Sequence, residues 1–224
     1  MTELPYNNRN SIPSIMRRRR FQIVNRLIQD IIDKKGSCRI LDIGGTHYYW
    51  ALDDDYLNER RGKVTIIVAN VDEPTEEKNE LCEYVVGDAT AQDIYESYDY
   101  DLIHSNSVIE HVGAWPKVKA MADHIRASQR AYYIQTPNYW FPVEPHFRSV
   151  GFQWLPESTR ASMLMKRQRG FRGPAKNWDD AMDLVESVKL LTASQLRGLF
   201  PEAALLRERI GPLTKSFMVV GNGH

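Results

Sequence analysis

Apolar residues recur along this chain at two spacings, one helical and one extended, and the two alternate. Over residues 14–35, Ile15, Phe21, Val24, Leu27, Ile28, Ile31 and Ile32 fall at helical spacing, with Ser14 as a candidate N-cap and Gly36 as a stop. A short apolar run at 39–43 then reads as a first strand. Helical spacing returns over 48–61, and β-branched residues at 64–71 predict a second strand. Strands at 84–86, 101–105 and 131–135 follow, separated by predicted helices at 90–98 and at 115–128. The second of these carries Pro116 in its first turn and Val118, Met121, Ala122 and Ile125 on one face.

After Pro137 the rhythm breaks. Pro142, Pro145, Pro156 and Pro174 interrupt a stretch rich in aromatic and arginine residues, which reads as an insertion over 138–190. A helix is predicted over 178–191. Thr192-Ala193-Ser194-Gln195 has the form of a capping box opening another helix. Two last strands, 205–209 and 216–220, flank Gly211-Pro212 so closely that they must run antiparallel. Alternating strands and helices with apolar strands imply an α/β fold, an open and mostly parallel sheet covered on both faces. Such sheets bind ligands beyond the carboxyl ends of their strands, so the residues following each strand are the ones to read.

Length and composition narrow the class. A chain of 224 residues fits a single domain, 1–224, with residues 1–36 as an N-terminal helical lid. Lys+Arg and Asp+Glu are equal at 29 each, which argues against a general nucleic-acid binder. Charge is uneven locally: residues 72–99 hold ten acids and one lysine, and 144–176 hold seven basic residues and two acids. Cys38 and Cys82 are too few for a disulfide framework, and no His/Cys/carboxylate spacing marks a metal site. No apolar run is long enough to span a bilayer and no secretory leader is evident, so a cytoplasmic protein is expected.

The strand ends carry polar residues in register. Asp42-Ile43-Gly44-Gly45-Thr46 follows the first strand, where glycines allow a tight turn and close approach of a ligand to the backbone. A dinucleotide fingerprint would need further glycines at 46 and 49, where Thr and Tyr stand, and Asp42 suits a cation better than a phosphate. Asn70-Val71-Asp72 follows the second strand, where a carboxylate can accept both hydroxyls of a ribose. Gly87-Asp88-Ala89 follows the third, where Asp88 can accept from an exocyclic amine or simply cap a turn. His104-Ser-Asn-Ser-Val-Ile-Glu-His-Val112 ends the fourth strand and begins the next loop.

On these residues the chain resembles the class I S-adenosylmethionine-dependent methyltransferases, in their small-molecule, type 11-like branch. Residues 39–46 resemble the family's first motif, 64–72 its second strand with a ribose-binding acid, 87–89 its adenine motif, and 101–112 the segment following its fourth strand. The resemblance implies a Rossmann-like seven-stranded sheet of order 3-2-1-4-5-7-6 with strand 7 antiparallel. It implies S-adenosylmethionine as cofactor, held by Asp42, Gly44, Gly45, Thr46, Asp88, Ala89, Ser105 and Asn106, with either Asn70 or Asp72 meeting the ribose. The chemistry agrees: a cationic sulfonium, an ammonium, a ribose and an adenine call for carboxylates, and Asp42, Asp72 and Asp88 supply three.

Transfer to an oxygen or nitrogen can require removal of a proton, for which His111 and His146 are the candidate catalytic bases. Either can equally be structural. Tyr139, Trp140, Phe141, Phe147, Phe152 and Trp154, beside Arg148 and Arg160, suggest an acceptor pocket built by the insertion for a small molecule, which basic neighbours would let be acidic or phosphorylated. Arg17-Arg18-Arg19-Arg20 would cover the cofactor cleft or meet an anionic surface. The oligomeric state stays open, a homodimer included. A nicotinamide-dependent oxidoreductase is disfavoured by the missing glycines, and an RNA methyltransferase by neutral charge and the lack of an Asn/Asp-Pro-Pro-aromatic tetrad. A non-catalytic cofactor-binding or interaction module of the same fold is the remaining alternative.

Overall fold

The structure, a computed structural model, describes residues 12–51, 54–73 and 81–223. The first eleven residues of the expected N-terminal lid, and residues 74–80 of the acidic stretch, lie outside that set. Seven strands form one sheet: β1 (Cys38–Ile43), β2 (Val64–Asn70), β3 (Cys82–Val86), β4 (Leu102–Asn106), β5 (Ala131–Pro137), β8 (Ala204–Ile210) and β9 (Leu213–Asn222). A separate hairpin is made of β6 (Val143–Glu144) and β7 (Ser149–Val150). The large sheet has the order β3-β2-β1-β4-β5-β9-β8. Strands β1 to β5 are parallel and β9 runs antiparallel to both β5 and β8. With β6 and β7 set aside in their hairpin, this is the expected order 3-2-1-4-5-7-6.

Alternation along the strands sends side chains into two cores. Leu41, Ile43, Ile67, Ile103 and Ile134 meet helix α5 (Trp115–Ala127) through Val118, Met121, Ala122 and Ile125. Cys38, Ile40, Ile66, Val68 and Leu102 meet helix α1 (Ile12–Lys35) through Phe21, Val24, Ile28 and Ile32. Those four α1 residues are spaced three or four apart, so they form one stripe facing the sheet. Gly36, at φ +85°, ends the helix, and its N–H returns to the Ile32 carbonyl. The other end of α1 starts at Ile12, so Ser14 is an interior helix residue and not the N-cap its sequence position suggested.

Elsewhere the elements are shorter than the periodicity predicts. The stretch 48–61 forms two short helices, α2 (His47–Trp50) and α3 (Asp54–Glu59), and only α4 (Asp93–Glu96) forms within 90–98. Thr192 and Gln195 do close a reciprocal capping box on α8 (Ala193–Leu199). Residues 138–190 leave and rejoin the sheet at one point, because the Tyr139 N–H donates to the Leu191 carbonyl and Asn138 Nδ2 to the Thr214 carbonyl. This segment holds the hairpin, a 3-10 turn (Phe152–Trp154), α6 (Glu157–Lys166) and α7 (Trp178–Glu186). It has a core of its own, built on Phe147, Phe152, Ala161, Leu164, Ala181 and Val185. Among the described residues, no helix is long and apolar enough to cross a membrane.

Candidate functional site

The register of the parallel strands brings their carboxyl ends to one edge. Ile43 pairs with Ala69 and with Ser105, Asn70 with Val86, and Asn106 with Gln135. The loops beginning at Gly44, Val71, Gly87 and Ser107 therefore share that edge. Gly44 turns there at φ +68°, its N–H donating to the Ala69 carbonyl at 2.7 Å. A side chain at Gly44 would strike Val108, and one at Gly45 would lie 1.6 Å from Asp42 Oδ2. Both glycines are thus required by packing within the protein, whatever else approaches the turn. Asn70 Nδ2 donates to the Gly45 carbonyl at 2.9 Å and locks the glycine turn to the end of β2.

Three of the residues expected at a cofactor face inward. Asp42 shares the parity of Cys38 and Ile40, so its side chain enters the α1-side core, where it is fully buried. Its Oδ1 pairs with His104 Nδ1 at 2.6 Å and its Oδ2 accepts from Trp50 Nε1 at 2.6 Å. Each oxygen thus has one partner within the protein, which fixes the Asp42 side chain beneath the glycine turn. Ser105 is likewise fully buried, and its hydroxyl has no hydrogen-bond partner among the described residues. The Ala89 side chain belongs to the α5-side core. Asn106 stands at the edge but spends its Oδ1 on Arg20 Nη1 at 3.1 Å.

The acids of β2 and β3 face outward. Asp72 is exposed and no described residue bonds its carboxylate. Asp88 is exposed too; its Oδ1 accepts from the Thr90 N–H and hydroxyl, both at 2.8 Å, leaving Oδ2 outside the turn. The bond from the Thr90 backbone, chiefly, holds the Asp88 carboxyl below its ordinary range. Thr46 is exposed at the mouth of the glycine turn.

On the other side of the edge the two candidate bases meet. His111 Nε2 and His146 Nε2 lie 3.0 Å apart, one from the loop after β4 and one from the β6–β7 hairpin. His111 Nδ1 donates to the Ser187 carbonyl at 2.8 Å, and His146 Nδ1 bonds Glu144 Oε1 at 2.8 Å. Burial above all lowers the His111 pKa, which keeps the ring neutral at physiological pH. Glu110, absent from the sequence-level set, sits directly against this pair. It is almost fully buried, and its Oε2 accepts from Thr136 Oγ1 at 2.9 Å. Ligand atoms of Glu110, His111 and His146 all lie within 4.8 Å of one another. No local spacing reveals this cluster, since His146 arrives from the insertion; only the adjacency of Glu110 and His111 hints at it.

Burial raises the Glu110 pKa from 4.5 to about 7, against the opposing pull of its hydrogen bonds. A carboxyl whose pKa is higher in the folded than in the unfolded chain stabilises the fold below its unfolded value. That contribution is lost as pH rises towards 7 and beyond. In buffer containing a chelator, urea midpoints measured from pH 4.5 to 8 should therefore carry a loss on the order of 3 kcal/mol from this group, and Glu110→Gln should flatten that part of the profile.

Beside the histidines, Glu144 also lines a cavity of about 480 Å³ with Tyr139, Phe147, Phe152, Trp154 and Arg160. Phe147 and Phe152 turn their rings on each other at 4.4 Å inside the insertion core, whereas Trp140 and Trp154 remain exposed. Two lining residues, Arg160 and Gln153, have a buried polar atom, Nε and Oε1, without a partner.

No known protein-family model matches this sequence, and no curated protein is detectably similar to it. Solved structures do match in fold. The CurJ carbon methyltransferase superposes with a TM-score of 0.52 at 14% identity, over 88% of this chain and 52% of its own. The trans-methyltransferase CalH, in complex with SAH, gives 0.54 at 14%, over 90% and 55%. The DszA carbon methyltransferase gives 0.55 at 11%, over 96% and 56%. This chain spans just over half the length of those three chains, and it has the fold of the class I S-adenosylmethionine-dependent methyltransferases.

Proposed function

We propose that the protein is an S-adenosylmethionine-dependent methyltransferase that methylates an oxygen or nitrogen of a small molecule. The observation carrying this reading is that one sheet edge joins two exposed acids, Asp72 and Asp88, to a pair of facing histidines beside a small-molecule-sized cavity. The donors suit the cofactor. Asp72 has both carboxylate oxygens available for ribose hydroxyls, and Asp88 Oδ2 can accept from an adenine amine. The turn after β1 has no glycines at 46 and 49 with which to wrap a phosphate, and this cofactor has none.

When bound, S-adenosylmethionine supplies a methyl group on a cationic sulfonium and leaves as a neutral thioether. The chain's part is then to hold the acceptor in line, which can contribute up to about 7–11 kcal/mol, and to accept the acceptor's proton. His111 and His146 are built for the second task. The Ser187 carbonyl takes the Nδ1 hydrogen of His111, so the neutral ring has a lone pair on Nε2, and the 3.0 Å contact lets His146 Nε2 share a proton with it. The cavity is within the roughly 300–1,000 Å³ usual for small-molecule sites. Arg160 on its wall favours an acceptor carrying an acidic or phosphate group.

Methyl-labelled S-adenosylmethionine offered with a panel of small acids, phosphate esters, phenols and amines tests the activity. His146→Ala should reduce turnover by about 10²-fold or more while leaving S-adenosylhomocysteine affinity within about threefold, a shift too small to signal a lost contact. Wild-type rates in that variant would return His146 to a structural role. Cofactor binding without turnover across the whole panel would favour a non-catalytic module.

A further inference from the structure

We propose that Glu110, His111 and His146 form a binding site for a divalent transition-metal ion of the zinc type, on the acceptor side of the cleft. The geometry of the two imidazoles points there. Each Nδ1 hydrogen is fixed by an acceptor that has no proton to give: the Ser187 carbonyl for His111 and the Glu144 carboxylate for His146. In neutral rings both Nε2 atoms then carry lone pairs, and these face each other at 3.0 Å. Two such lone pairs repel unless a cation lies between them or beside them. Ligands bound at about 2.0–2.2 Å to one tetrahedral ion lie roughly 3.3–3.6 Å apart, so the imidazoles, at 3.0 Å, would part by only a few tenths of an ångström to admit one.

The third group is independent of that argument. Glu110 is 1% exposed, and its Oε1 has no hydrogen-bond partner. A buried carboxylate oxygen left unbonded is costly in a protein interior. A ligand atom of Glu110 and those of both histidines fall within 4.8 Å of one another, so the three side chains converge on one point. Their outer partners are also of the right kind. A histidine that binds a metal through Nε2 usually donates Nδ1–H to a carboxylate or a backbone carbonyl, and here one does each. Two imidazoles with one carboxylate suit zinc, iron or cobalt, and do not suit magnesium or calcium, which prefer oxygen.

Three protein ligands leave the ion open to a further one, and the His146 side chain is 17% exposed. On the methyltransferase reading, that further ligand is the acceptor's oxygen or nitrogen. The ion would then lower the acceptor's pKa so that its proton passes to solvent water, and would hold it for in-line attack; with the ion bound, both Nε2 atoms are ligands and neither histidine is the base. The metal site itself does not depend on that reading.

The test uses untagged full-length protein stripped with EDTA and titrated with cobalt(II) and zinc(II). One ion per chain is expected, with visible d–d absorption for cobalt that zinc displaces. His111→Ala and His146→Gln should each lose stoichiometric binding, and Glu110→Gln should weaken it at least tenfold. Glu144→Gln, which meets His146 at its outer nitrogen and keeps an oxygen for the Phe147 N–H, should weaken it by about 10–100-fold. His124→Ala, remote from the cluster, should bind as wild type, and far-UV circular dichroism checks folding of each variant. S-adenosylhomocysteine affinity, measured alongside, reports the cofactor reading separately. No stoichiometric uptake by folded stripped protein, or unchanged uptake in both histidine variants, would overturn the site. The two Nε2 atoms would then share a proton only.

Discussion

Arg20→Ala is expected to lower stability by about 3–5 kcal/mol. Arg20 lies on the sheet-facing side of α1 with its side chain only 10% exposed. Its Nε and Nη2 bond the two oxygens of Glu208 at 2.8 and 3.0 Å, and Nη1 bonds Asn106 Oδ1 at 3.1 Å. Ser216 Oγ donates to the same carboxylate at 2.6 Å. One guanidinium thus ties α1 to β8 and to the end of β4. Burial works against the charge, yet the bond and attraction to Glu208 hold the Arg20 pKa above its usual value. Removing the arginine leaves a buried carboxylate with a single hydroxyl donor, which is the source of the cost. Replacing both partners, as Arg20→Met with Glu208→Leu, should recover most of it, because a well-packed apolar pair needs no compensation. Urea unfolding of the two variants beside the wild type checks this. Equal losses in the single and double variants would place the effect in packing and not in charge.

Asp72→Ala is expected to weaken S-adenosylhomocysteine binding by about 1.5–3 kcal/mol, or roughly 10–150-fold, with no loss of stability. Both halves follow from exposure: Asp72 bonds no described residue, so the fold does not depend on it, while its carboxylate remains available to a ligand. Asp42→Ala should do the reverse. Its carboxylate closes a buried network with His104 and Trp50, so its loss should appear first in thermal unfolding. Calorimetry with each variant separates the two roles. Unchanged affinity in Asp72→Ala would shift the ribose contact to Asn70, whose Nδ2 is already engaged by Gly45.

Much of this could be read from the chain. Apolar strands predicted the sheet, the family resemblance its order, and polar strand ends the candidate edge, because a parallel sheet buried on both faces leaves only its ends for ligands. Which way the side chains at that edge point comes from the strand alternation. Asp42 follows Cys38 and Ile40 at even positions of β1, and His104 follows Leu102 in β4. Period-two alternation therefore sends both to the α1 side, where they found each other. Ser105 shares the parity of Ile103 and enters the opposite core. The alternation was present in the sequence and outweighs the attraction of a conspicuous acid. The Glu110–His111–His146 cluster was not legible in the same way. It depends on a hairpin whose position is set by Glu144 bonding both the His146 ring and the Phe147 N–H, and by the stem at Asn138 and Leu191. Those contacts are tertiary, and no spacing encodes them.

The charge pattern changes meaning as well. The basic run 17–20 suggested a surface for anions, yet Arg20 is buried on Glu208. A run of like charges wrapped on a helix points its members in different directions, and here one of the four reaches the core.

On the methyltransferase reading, S-adenosylmethionine or its neutral thioether product, and not a dinucleotide, sits at the carboxyl edge of the sheet. Isothermal titration of the full chain with S-adenosylhomocysteine, and separately with NAD, tests it most directly. Saturable one-site binding of the first and none of the second is the predicted result. Binding of NAD alone, or of neither at saturating concentration, would contradict it.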